Sequence, residues 1–153
     1  MTAAFFLTFV ANSPTFASGA DEDRGASVFV QVGGPAVAAA ETQRALVSAL
    51  GPMAVAVKPE LVAAVDVTSV RSALAAPAGD TTWLAQVYID SAGSVREAAA
   101  TVFVVDWRHG RLFMRSLPHS SPSTSPLIRE QVVQIVVAAV GSLLAGQRVG
   151  EDR

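Results

Sequence analysis

Hydrophobic and polar positions follow two rhythms along this chain. Ser27–Val32 (SVFVQV), Trp83–Asp90 (WLAQVYID), Thr101–Asp106 (TVFVVD) and Arg111–Leu117 (RLFMRSL) are rich in β-branched and aromatic residues, and their near-alternation predicts strands. Met53–Lys58 (MAVAVK) reads as a further strand, stopped by Pro59, which has no N–H for a sheet ladder. The other rhythm is helical. Ala36–Leu50 follows the breaker Gly33-Gly34-Pro35, sets Val37, Leu46, Val47 and Leu50 on or near one face, and ends at Gly51-Pro52, the expected start and stop residues. Thr68–Ala75 also reads as a helix, with Asp66 or Thr68 as its cap, since either side chain can accept from a first-turn N–H.

The most apolar element is the last. Ser125-Pro126 opens a helix over Leu127–Ala145, and Gly146 closes it. On a wheel of about 3.6 residues per turn, Ile128, Val132, Ile135, Val136, Ala139 and Leu143 form one stripe. Val133, Val137, Val140 and Leu144 widen it, leaving Glu130, Gln131, Gln134 and Ser142 outside. So wide a stripe predicts a helix that lies on a sheet and touches a neighbour as well. A membrane span is not expected, because Gln131 and Gln134 interrupt a short run.

Trp107-Arg108-His109-Gly110 separates the last two strands and suits a hairpin loop. Ser91–Ser94 reads as a turn, Val95–Ala100 leads into the hairpin, and Pro118–Pro126 (PHSSPSTSP) is a proline-punctuated loop. The order β-α-β-(α)-β-β-β-α predicts an α/β (α+β) fold, with a mixed sheet of about five strands, two or three helices, and the C-terminal helix packed on the sheet.

Composition narrows the function more than it defines it. At 153 residues, 51% hydrophobic and 16% charged, the chain suits one packed domain. A net charge of −2 gives no bulk attraction to nucleic acid. The lack of cysteine removes disulfides, thiol nucleophiles and thiolate metal sites together. Residues 1–20 carry no charged side chain, and Ala3–Ala11 (AAFFLTFVA) is an apolar run followed by Pro14. That is the anatomy of a signal peptide with cleavage after Ala17 or Ala20, although it lacks a basic n-region; the other reading is an apolar first strand or helix of the fold. The domain would then be 21–153, exported to the periplasm or cell envelope.

Candidate chemistry is sparse. The two histidines are His109, in the hairpin turn, and His119, in the proline-rich loop. With Asp106, Ser120 and Ser121 they do not make a rigid triad or a zinc pattern. Asp66, Asp80 and Asp90 each read as turn or strand-end residues, and Gly33-Gly34 lacks the remaining residues of a dinucleotide or P-loop fingerprint. No cofactor or metal is expected, and the chain reads as a non-enzyme. One cluster stands out: Arg108, His109, Arg111, Arg115 and His119, with no acid between Asp106 and Glu130. Alternation puts Arg111, Phe113, Arg115 and Leu117 on one face. Trp107, Arg108, Arg111, Phe113 and Arg115 form a candidate interaction face, with Trp107 either an anchor of that face or a core residue. Two uses are open, a protein contact and an anion or single-stranded nucleic-acid contact. A third reading is an edge strand whose charges block edge-to-edge pairing.

The segment VFVVDWRHGRLFMRSLP through LIREQVVQIVVAAVGSLLAG resembles the N-terminal periplasmic α/β domain of a group of uncharacterised bacterial envelope proteins. The element order is also similar, in topology only, to the N-terminal domain of TolB-type proteins, an anticodon-binding-like fold. The resemblance implies an envelope protein or a downstream domain as partner. It carries no functional residue onto this chain.

Overall fold

The computed structural model describes residues 25–75, 83–92, 98–118 and 125–150. The expected leader of residues 1–20, Asp80, His119, Ser120 and Ser121 lie outside the described residues. Five strands form one sheet: β1 (Ser27–Gly33), β2 (Ala56–Val62), β3 (Trp83–Asp90), β4 (Ala98–Asp106) and β5 (Arg111–Pro118), in the order β2-β1-β3-β4-β5. β1 runs parallel to β2 and β3, whereas β4 is antiparallel to both β3 and β5. The sheet is therefore mixed, and three helices accompany it: α1 (Ala36–Leu50), α2 (Val67–Ala75) and α3 (Ser125–Leu144).

Alternation along the strands divides the helices between the two sheet faces. Val28, Val30 and Val32 of β1, Val87 and Ile89 of β3, and Val102 and Val104 of β4 point to an inner face, where they meet Leu46 and Leu50 of α1 and Val132, Val136 and Val140 of α3. On the outer face Tyr88, Phe103 and Val105 form a second core with Val70 of α2, and Phe29 and Leu74 pack against it. Pro126–Leu144 is long and apolar enough by length and composition to cross a membrane, with a mean hydropathy of 1.6. That differs from the expectation of too short a run. In the fold, its Val132, Val136, Val140 and Leu143 are seated in the inner core, and Arg129 pairs with Glu41 of α1.

β2 departs from its expected bounds. Gly51–Met53 form a short 3-10 turn, Ala54 follows in the left-handed region at φ 55°, and the strand then runs from Ala56 through Pro59 to Val62. Pro59 does not stop it because β2 is an edge strand, where one row of N–H groups has no sheet partner to serve. β4 likewise begins earlier than the alternation suggested, at Ala98.

Asp66, rather than Thr68, caps α2: Oδ1 accepts the Thr68 N–H at 2.9 Å, and the Ser69 hydroxyl donates to Oδ2 at 3.4 Å. The Thr68 N–H holds the Asp66 carboxyl below its ordinary pKa. A lowered pKa makes the cap fully effective above the ordinary aspartate value and weakens it as pH falls through the lowered one. The Thr68 and Ser69 amide resonances should therefore stay fixed down to about pH 4 and move only below it. Asp66→Asn, which keeps an acceptor oxygen, should abolish that titration. A transition at or above the ordinary value would contradict this assignment.

Candidate functional site

β4 and β5 turn on a rigid corner. Asp106, the last residue of β4, is fully buried; its Oδ1 accepts the His109 backbone N–H at 3.2 Å, and its Oδ2 lies 2.7 Å from His109 Nδ1. The carboxylate thus spans the loop, and Gly110 closes it at φ +62°, a conformation glycine adopts without strain. The imidazole remains 34% exposed. A carboxylate that orients a histidine is half of a nucleophilic triad. Among the described residues, however, no hydroxyl is bonded to His109, and no group of three metal-ligating side chains gathers.

The five residues of the candidate interaction face separate. Arg111, Phe113 and Arg115 lie in register with Asp106, Val104 and Val102, so they share the inner face. Arg108 is exposed in the turn. Trp107 turns the other way and packs with Leu112 in the outer core, its indole Nε1 buried without a hydrogen-bond partner. Loop geometry explains the split, because period-two alternation ends at Asp106. The basic and aromatic residues therefore do not form one continuous surface.

Among the described residues β5 pairs with β4 alone and is a sheet edge. α3 stands beside it, and between them runs an open groove of about 680 Å³. Phe113, Leu117, Ile135 and Ala138 give it an apolar lining, and Arg115 and Gln134 supply polar groups. Among the described residues no carboxylate lines it. Past Leu144 the chain reverses: the Gly146 N–H donates to Leu143 O and the Gln147 N–H to Ser142 O, the paired bonds of a Schellman turn. The reversal brings Val149 into the groove lining and Gly150 against the backbone of Leu112 and Phe113, where a Cβ would fall 2.5 Å from the Leu112 carbonyl oxygen. The sequence pattern marked Gln131, Gln134 and Ser142 only as lying outside the apolar stripe, yet they line this groove. Their neighbours on β5 could not be inferred without the helix placement.

The other sequence candidates among the described residues have structural explanations. Strand order reverses between β1 and β3, the place where open α/β sheets form ligand crevices. Here Gly33 and Gly34 close that place rather than open it. The Ser91 hydroxyl donates to Gly33 O at 2.7 Å and the Ser91 N–H at 2.9 Å. A Cβ on Gly34, at φ +140°, would meet Ser91 Oγ at 2.7 Å. Asp90 is buried and its Oδ1 accepts the Ala92 N–H at 3.0 Å, while Asp66 caps α2. No protein-family model, curated protein or solved structure matches this chain.

Proposed function

We propose that this domain is an exported, non-enzymatic protein-interaction module that serves envelope assembly, and that the groove between β5 and α3 is its binding surface. The groove carries the reading: an apolar trough beside the strand edge, with Arg115 and, among the described residues, no carboxylate on its lining. An extended peptide can add to such an edge through main-chain hydrogen bonds while its alternate side chains enter the trough. The ligand that fits is a segment with apolar residues at alternate positions and an acidic residue opposite Arg115. It would come from another envelope protein or from a downstream domain. Export rests on the apolar leader Ala3–Ala11.

The alternative, an anion or nucleic-acid binder using Trp107, Arg108, Arg111, Phe113 and Arg115, draws less support. Trp107 belongs to the outer core, and Arg115 shares its surroundings with apolar side chains. Peptides selected from a random library against the folded domain decide between the two. Acidic-apolar extended sequences are expected, with at least about tenfold weaker binding to Arg115→Glu, the scale of one lost charge-assisted contact. Selection of no such peptide, together with salt-sensitive binding of a single-stranded oligonucleotide, would overturn the proposal.

A further inference from the structure

The outer sheet face holds a second surface, independent of the groove. α2 covers Tyr88, Phe103 and Val105, while Phe29, Gln31, Trp83 and Gln86 remain half-buried and Lys58 and Glu60 are exposed. Register sets Phe29 between Lys58 and Gln86, and Gln31 between Glu60 and Tyr88. The Phe29 ring meets Trp83 and Tyr88 edge-on, with centroids 6.1 and 6.0 Å apart and planes inclined by 71° and 65°. The polar side chains between the rings are held in place: Gln31 Nε2 donates to Glu60 Oε2 at 3.1 Å, and the Tyr88 hydroxyl donates to Gln86 Oε1 at 2.6 Å. Lys58 Nζ stands 5.9 Å from the centroid of the Trp83 ring.

We propose that this patch binds an uncharged carbohydrate. Aromatic rings offer apolar surface to the C–H faces of a pyranose, and fixed amide and carboxylate groups offer paired donors and acceptors to its hydroxyls. The two internal hydrogen bonds use one polar atom of each side chain, so Gln31 Oε1, Glu60 Oε1 and Gln86 Nε2 remain to meet a ligand. Charge selects a neutral sugar over single-stranded nucleic acid. Lys58 and Glu60 cancel, and no other cation stands among the described residues named on the patch.

The chain has two tryptophans, so Trp107→Phe leaves Trp83 as the sole indole reporter. Cellohexaose, chitohexaose and maltohexaose are titrated into that variant, with an oligothymidylate as the charged comparator. At least one oligosaccharide should change the Trp83 emission saturably, and the oligonucleotide should not. By calorimetry, Trp83→Ala and Gln31→Ala, each on the otherwise native chain, should weaken that sugar by about tenfold, the order of one lost stacking or hydrogen-bonding contact. Gln31→Ala removes only a half-exposed polar group, so a retained unfolding midpoint keeps its result interpretable even if Trp83→Ala fails to fold. No response to any of the three sugars would overturn the proposal, as would binding indifferent to both substitutions or a preference for the oligonucleotide.

Discussion

Gly33→Val is expected to cost about 3 kcal/mol of folding free energy, the upper part of the range for overpacking a closed site. The cause is steric, since Gly33 is not among the residues with positive φ. A Cβ there would lie 2.7 Å from Val65 N and 3.0 Å from Ala64 C. Both are backbone atoms, which cannot swing aside as a flexible side chain can. Nor can Gly33 retreat, because Ser91 donates twice to its carbonyl and β1 is paired on both sides, with Val62 and with Asp90. A single-domain stability of roughly 5–15 kcal/mol makes such a loss a large fraction of the whole. Urea unfolding should show a clearly lower midpoint, and an unchanged midpoint would mean that the loop after β2 is not held against β1 as described.

Asp106→Ala is expected to cost a similar amount, about 3 kcal/mol, by leaving the donors it serves without a partner. The carboxylate is fully buried and accepts from both the backbone and the ring of His109. Removing it frees the turn and leaves a void at the inner-face end of β4. Asp106→Asn keeps one acceptor oxygen for the His109 N–H and should cost roughly half as much. Urea unfolding with amide exchange at Arg108–Arg111 measures both effects. Midpoints for both variants equal to that of the native chain would remove Asp106 as the anchor of the hairpin.

The local elements were more legible than the surfaces they build. β3 occupies Trp83–Asp90, as its alternation predicted, and α1 occupies Ala36–Leu50, between its breakers. Both are set by short-range chemistry. Pro59 misled because its meaning depends on strand position: the same residue that would interrupt a central strand is harmless at the edge that β2 forms. Strand order itself is a long-range property, and no local pattern put β1 between β2 and β3. The layout of the candidate face was only partly legible for the same reason. Arg111, Phe113 and Arg115 share a face, as alternation requires, yet Trp107 crosses to the other core because the turn resets the phase. The groove takes half its lining from α3, far along the chain, and its closing residue, Val149, follows a reversal signalled only by Gly146. Phe29, Trp83 and Tyr88 read in sequence as ordinary strand residues, and only parallel pairing brings their rings together.

The most direct test of the proposed binding surface is a chemical-shift titration of the labelled domain with a selected acidic-apolar peptide. The account predicts perturbations confined to β5 from Phe113 to Leu117 and to the facing side of α3 around Gln134, Ile135 and Ala138, with new protection of the β5 edge amides. Perturbations centred on Trp107 and Arg108, or spread over the outer face and absent from α3, would contradict it.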